Sequence, residues 1–494
     1  MKNRCILALD QGTSATKGAA FDRKGERVGI ERHPVRSLFP SPGWVEQDPG
    51  ELLSSIQIVA GKLVARIRAM AMEAVGLGMA NQAECLLLWD ADTGEPVYPL
   101  IGWQCSRSAD YCDALKQRGL ESKFRSLTGL PLTPMWPATK IPWVLDNIPE
   151  AARLLRLGRL AFSQSDSWFL YHLTKEHRYA TDHSTAARSG LYSLESGCWD
   201  EDLLGLFGAK GLLLPSIHDS DDVLGTLAIA DMEIPWRGNA LDQSIALIGQ
   251  ACLGQDQAKV TLGTCAGFWM NIGQVYREPR VMDTSVAWQV GGAPTYAIAS
   301  ESIHAGSLIT WISEALGLPW KVEQFSSVAA KARPDDGLVV IPALTGLGAP
   351  YWDSKVRGTI FGITSATTQA DIVRASLEAV AFSVCDILTP LEKLEERRVV
   401  GALRVDGGLS RNEFLLKFLA DVLDRPIVRP RESETTLLGM AILAGAGAGI
   451  YPGIGVANEI WQAHSTYEPH TVRRSAVERY SRWTELVWAA RRAY

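Results

Sequence analysis

The 494-residue chain has few cysteines, and none of them form a CxxC pair; those at 5, 85, 105, 112, 198, 252, 265 and 385 are scattered and mostly sit in apolar runs. They read as reduced core thiols rather than a disulfide framework. The first apolar run, Cys5 to Leu9, is too short for a signal h-region, and no stretch reaches 18 uninterrupted apolar residues. A cytoplasmic protein with no membrane partner is expected. There is no basic stripe: the formal charge is −6 and the pI near 5.9, which excludes nucleic acid as a partner. Low-complexity segments and long linkers are also lacking, so the parts of the chain should pack closely. What remains, 47% hydrophobic and 21% charged residues, is the composition of a globular enzyme too long for a single core.

The most informative stretch is Arg4 to Lys17. An apolar run delivers Asp10 into a Gly/Thr/Ser turn, Gly12-Thr13-Ser14, closed by Lys17. Backbone N–H groups and hydroxyls there can face phosphate oxygens, Lys17 adds charge, and Asp10 can hold Mg2+ through water. The residues that follow, Gly18 to Asp22, read as a second strand, so the loop is a hairpin tip. A P-loop or a dinucleotide-binding turn would instead run from strand into helix.

The strand-turn-strand order restarts at Lys259 to Gly273, where Gly263-Thr264 stands in the place of Gly12-Thr13. Two similar halves imply a cleft between them, with a hinge near Ile248 to Gln255. In the first half, a strand-like stretch around Val28, a helix from about Gly50 to Met72 and a strand over Ala74 to Met79 are predicted. In the second, Leu403 to Asn412 reads as strand, Gly407-Gly408 turn and a helix carrying Phe414, Leu415 and Phe418, which offers amides to an anion. The terminal segment, with Val477, Tyr480, Trp483 and Val487 at helical spacing, predicts a packed helix whose basic pairs Arg473-Arg474 and Arg491-Arg492 lie on a solvated face.

Together these pieces resemble the FGGY carbohydrate kinases, and among them most resemble the glycerol kinases. The resemblance is carried in collinear order by Asp10-Gln-Gly-Thr, Pro42 to Pro49, Asn81-Gln82-Ala83-Glu84, Trp103-Gln-Cys, Leu241-Asp-Gln-Ser, Leu262-Gly-Thr, Thr345 to Asp353 and Val405-Asp-Gly-Gly. Met135 to Asn147 fits one family signature; Gly358 to Ile363 with Asp371 to Glu378 fits the other. The resemblance implies an α/β fold of two actin-like ATPase (ribonuclease H-like) domains flanking a catalytic cleft, 1–250 binding sugar or polyol and 251–494 binding ATP. It implies ATP-dependent phosphorylation of a small polyol or sugar, with Mg2+. Asp242 takes the place of the general base, and Asp10 and Asp242 the metal positions. Glu84, Trp103, Gln243, Ala83 and Met135 fall at substrate positions. Gly12, Thr13, Ser14, Lys17, Gly263, Thr264, Gly306, Thr310, Gly407, Gly408 and Asn412 fall at ATP positions, and the whole Gly12-to-Thr16 hairpin at the γ-phosphate. A homodimer or homotetramer is the assembly the resemblance allows.

The departures from the family concern the substrate. Glycerol kinases have Asn-Gln-Arg-Glu where this chain has Asn81-Gln82-Ala83-Glu84, and Asp-Pro-Tyr where it has Thr133-Pro134-Met135. They place an aromatic where Gly267 stands, with Phe268 next. A roomier, less polar pocket is expected, which favours a four- to six-carbon polyol or ketose over glycerol. The glycine- and base-rich regulatory loop of some relatives is reduced to Ile229 to Arg237, whose only base is Arg237, so control by a sugar bisphosphate is not expected. A reading of another class keeps the fold: an actin/Hsp70-like ATPase acting on a protein partner. The substrate-sized polar set at Glu84, Trp103, Asp242 and Gln243 argues against it.

Overall fold

The computed structural model describes residues 3–229, 231–276, 282–333, 337–470 and 474–494. Arg473 of the terminal basic pair and Ala230 of the shortened loop lie outside them. The first sheet contains β1 (Asn3–Gln11), β2 (Ala15–Asp22), β3 (Arg27–Pro34), β4 (Met72–Asn81), β5 (Gly225–Ile229) and β6 (Met232–Leu241), in the order β5-β6-β4-β1-β2-β3. β1 pairs antiparallel with β2, bringing Asp10 opposite Lys17, and parallel with β4. Its uninterrupted apolar run reflects burial on both faces. Cys5, Leu7 and Leu9 pack with Leu52, Ile56, Val59 and Leu63 of α1 (Pro49–Ala69), while Ile6 and Ala8 face Met440, Ala441 and Ala444 of a helix from the other half. α1 starts where it does because Asp48 accepts hydrogen bonds from the Gly50 and Glu51 amides at 2.8 and 3.1 Å.

The second sheet repeats the plan. Its strands are β7 (Ala258–Leu262), β8 (Ala266–Gly273), β9 (Asp283–Val290), β10 (Ala293–Ser302), β11 (Leu403–Asp406), β12 (Ile427–Pro430) and β13 (Ala463–Tyr467), ordered β9-β10-β8-β7-β11-β12-β13. β7 matches β1: antiparallel to its hairpin partner β8 and parallel to β11. Equivalent pairings place both Gly-Thr tips, and the carboxyl ends of β4, β6 and β11, on the same side of their sheets, where ligands of open α/β sheets bind.

The halves are joined by two helices, α2 (Asp242–Gly249) and α6 (Thr435–Gly447); between β7 and β13 lie α3 (Gly306–Ala315), α4 (Gln369–Glu395) and α5 (Glu413–Leu423), and α7 (Arg474–Ala493) closes the chain. α2 and α6 touch backbone to backbone. A Cβ on Gly249 would stand 1.9 Å from the Thr435 carbonyl oxygen, and one on Gly439 2.1 Å from that of Ile245. Only glycine permits such a crossing.

Several boundaries differ from expectation. α1 stops at Ala69, and β4 runs from Met72 to Asn81 because it pairs along its length with β1. On α7, Trp483 and Val487 are buried and the Trp483 indole and Tyr480 hydroxyl both donate to Asp386, each at 2.9 Å, but Val477 is exposed. Arg491 is not on a solvated face: its Nε donates to Asp353 Oδ2 at 3.0 Å and its guanidinium lies 4.5 Å from the Trp488 ring centre. All eight cysteines carry free thiols, but Cys198 is exposed and Cys265 half-buried rather than in a core. Among the described residues no helix is long and apolar enough to cross a membrane.

Candidate active site

The first hairpin is braced from below by the motif residues around it. Gln82 Nε2 donates to Gln47 Oε1 at 2.7 Å, and Gln47 Nε2 donates to the Thr13 carbonyl at 2.9 Å. The Gly12 amide closes the turn on the Ala15 carbonyl at 3.2 Å. Trp103 Nε1 donates to Thr13 Oγ1 at 3.0 Å, so this indole ties the hairpin to the wall of the cleft. Ser14 is exposed at the tip. Thr16 does not face the cleft: it is fully buried, its hydroxyl 2.6 Å from that of Ser55, because strand alternation turns it inward. Lys17 Nζ is 2.8 Å from Glu434 Oε2, an ion pair that links β2 to the residue preceding α6.

Glu84 is the most constrained residue of the cleft. Its φ is +66°, a left-handed conformation rare outside glycine. Three contacts hold it: its amide donates to Gln164 Oε1 at 2.7 Å, its carbonyl accepts from Lys140 Nζ at 2.9 Å, and its Oε1 accepts from Arg188 Nε at 2.6 Å. Lys140 also donates to the Met135 carbonyl, which explains what the signature lysine does. Burial lowers its pKa to about 8. Backbone strain over-determined in this way is typical of functional positions.

Asp242 is the first residue of α2, at the end of β6. Its Oδ1 accepts from the Gln243 amide at 2.6 Å, and Gln243 Oε1 accepts in turn from Lys259 Nζ at 2.7 Å. Lys259, fully buried on β7, also donates to Thr261 Oγ1 at 2.8 Å. Burial, then the charges of Asp10 and Glu84, push the Asp242 carboxyl up to about 7. Asp10 rises to about 6, chiefly by burial, with Lys17 opposing and Glu434 adding to the rise. Its Oδ1 is buried without a hydrogen-bond partner. Acids crowded this closely favour a bound cation.

Across the cleft, Gly263 and Thr264 use their carbonyls to receive the start of α3: the Gly306 amide donates to Gly263 at 2.9 Å, and Ser307 Oγ to Thr264 at 3.1 Å. Thr310 is exposed one turn further along α3. Gly407 has φ +84°, and a Cβ there would meet the Leu262 backbone at 2.6 to 2.9 Å. Gly408 opens instead on free space. The expected helix does not start at the Gly-Gly turn: a 3-10 turn, Gly408–Arg411, intervenes, and Asn412 Oδ1 caps α5 by accepting from the Leu415 amide at 3.0 Å. That oxygen is therefore committed to the helix, leaving only the amide nitrogen of Asn412 for a ligand. Asp406 Oδ2 accepts from Gln250 Nε2 and Thr435 Oγ1, both at 2.7 Å, tying the turn to α2 and α6.

Ala83 and Met135 bring no charge to the pocket. Ala83 is buried in an apolar cluster with Trp269 and Trp288, Phe268 points into the core of the second half, and Gly267 takes the cleft face. Charge arrives instead from Arg188, Asp283 and Glu301, which together with Lys259 sequence reasoning missed. Their common signal is a charged residue inside a run of small or apolar ones, as in Ala186-Ala-Arg-Ser and Ala258-Lys-Val. Such residues persist only with a partner.

Residues 5–249 match the N-terminal domain of the FGGY family of carbohydrate kinases, and residues 258–448 match its C-terminal domain. Proteins named glycerol kinase from Burkholderia vietnamiensis and Burkholderia ambifaria are each 38% identical over 494 residues, covering 99% of both chains. Among solved structures, Plasmodium falciparum glycerol kinase with ADP is 26% identical, with a TM-score of 0.90 over 99% of this chain and 98% of that one. Gluconate kinase from Lactobacillus acidophilus, 22% identical, shares the fold with a TM-score of 0.87 over 100% of this chain and 99% of its own.

Proposed function

The chain belongs to the FGGY family of carbohydrate kinases, and from that premise we propose that Asp242 is the general base in transfer of the ATP γ-phosphate to a hydroxyl of a small polyol or sugar. The observation that carries this reading is a buried carboxyl raised to about 7 and held at a helix start beside Asp10 and Glu84. Phosphoryl transfer passes through a loose transition state, so the protein chiefly aligns the alcohol with the phosphorus and balances charge. Asp242 Oδ1 is fixed by the Gln243 amide, which leaves Oδ2 to orient the hydroxyl and take its proton. The second oxygen of Glu84 accepts from substrate hydroxyls, and Trp103 covers the carbons. The boundary between a sugar-binding half and an ATP-binding half falls between 250 and 251. On the ATP side, the Gly12 to Ser14 hairpin and Gly263-Thr264 meet the phosphates from opposite walls, and the open side of Gly408 receives the nucleoside.

Mg2+ fits this donor set. It is held by one or two carboxylates plus substrate phosphates and water, and the unpartnered Oδ1 of buried Asp10, with Asp242 nearby, supplies them. Among the described residues no cluster of three or more His, Cys, Asp or Glu could hold a metal ion without the nucleotide. The bound ion would neutralise charge on the phosphate oxygens. Asp10→Ala should therefore lower activity severalfold at limiting Mg2+ and recover in part as Mg2+ is raised. Activity titrated against Mg2+ at fixed ATP checks this, and a defect indifferent to Mg2+ removes Asp10 from the metal role. Formation of a sugar or polyol phosphate, followed by phosphorus NMR, tests the reaction itself.

A further inference from the structure

The opened wall of the pocket is occupied by two groups with bonding capacity to spare. Glu301 on β10 pairs in register with Gly267 on β8, so both positions share one face of the sheet. Gly267 contributes no side chain there; a Cβ on it would come 3.0 Å from Gln243 Oε1, beside the base. The Glu301 carboxyl is thus next to the space that Gly267 leaves open beside Gln243, and among the described residues no hydrogen bond to it is made. Its charged neighbours include Glu84, Arg188, Asp242, Asp283 and Lys259. Arg188, from the other half of the chain, has 1% of its side chain exposed. Its guanidinium lies 4.6 Å from the Trp136 ring centre and 5.6 Å from that of Trp269. With Nε spent on Glu84, its Nη1 is buried without a hydrogen bond, 3.6 Å from Asp283 Oδ2. Buried guanidinium donors are rarely left unsatisfied, and the long ion-pair contact with Asp283 leaves this one with bonding capacity to spare.

Building on the kinase reading above, we propose that Arg188 Nη1 and the Glu301 carboxyl form a distal subsite for hydroxyl oxygens beyond the phosphorylated end, which makes the substrate an uncharged polyol or ketose of four or more carbons. The donor of Arg188 faces one substrate oxygen and Glu301 pairs with a neighbouring hydroxyl, while Glu84 serves the end nearer Asp242. An anionic sugar acid is disfavoured, since four carboxyls, Glu84, Asp242, Asp283 and Glu301, outnumber the two cations Arg188 and Lys259. A three-carbon substrate held at Asp242 and Glu84 leaves the subsite unfilled.

The test is kcat/KM for glycerol, erythritol, xylitol, xylulose and gluconate, by coupled ADP release, in the wild type, Glu301→Ala, Glu301→Gln and Arg188→Lys. A neutral four- or five-carbon compound should exceed glycerol by about tenfold or more in the wild type, the scale set by unpaired polar groups in a binding site. That ratio should collapse toward one in Glu301→Ala and fall less in the isosteric Glu301→Gln. Thermal melting separates lost recognition from lost folding, and where Glu301→Ala melts early the ratio in Glu301→Gln, which keeps the volume, decides between the two. Glycerol or gluconate as the best wild-type substrate, or a ratio unmoved by all three variants, overturns the subsite while leaving the kinase intact. No ADP release with any compound overturns the kinase reading itself, and the subsite with it.

Discussion

Asp242→Asn should lower kcat by roughly 10²-fold or more, the usual contribution of a positioned base, while the fold and ATP affinity stay close to wild type. The amide preserves the size of the side chain and its Oδ1 can still accept from the Gln243 N–H, now 2.6 Å away. What is lost is the ability to take the hydroxyl proton, an interaction made as transfer proceeds; kcat and kcat/KM should therefore fall together. The substitution also removes a charge from a crowded acidic site, so thermal stability should hold or rise. Steady-state kinetics with nucleotide binding by calorimetry check this. Turnover within a few fold of wild type would take Asp242 out of the base role.

Gly408→Val should raise KM for ATP on the order of 10²-fold, equivalent to about 2.7 kcal/mol of lost nucleotide binding, with a far smaller change in KM for the polyol. A Cβ at Gly408 meets nothing within 4 Å and enters the space assigned to the nucleotide. Gly407→Ala is the contrasting case. Its φ of +84° and the Leu262 backbone at 2.6 Å make the substitution a folding defect, costing at least about 1–2 kcal/mol from the left-handed conformation alone. Adjacent glycines should thus separate: one variant folded with poor ATP binding, the other unstable with both substrates affected. Equal KM effects in Gly408→Val would make the turn structural only.

The difference between those glycines was not legible in the sequence, since it depends on β7 lying against β11. Features resting on local chemistry were legible: both Gly-Thr hairpins, the restart of the pattern at Lys259 and, to within a few residues, α1. Arg188 escaped because its partners are distant in sequence: Glu84, 104 positions away, is met within the first half, and Asp283, 95 positions away, only when the halves pack. Lys259 escaped because a strand that reads as apolar hides one buried ammonium satisfied by Gln243 and Thr261. Thr16 and Arg491 were misjudged for the same reason. Each has a residue type suited to the assigned role, but the distant Ser55 and Asp353 already hold its polar group. The charge that Arg188, Asp283 and Glu301 bring to the pocket comes from parts of the chain that the substrate motifs do not include.

The most direct test of the account is ADP release by the purified chain with Mg-ATP, with and without a panel of three- to six-carbon polyols and ketoses. The account predicts little release without acceptor, strong stimulation by at least one compound, and one mole of phosphate ester formed per mole of ADP. ADP release indifferent to every polyol and sugar, with the phosphate appearing as inorganic phosphate, would contradict it.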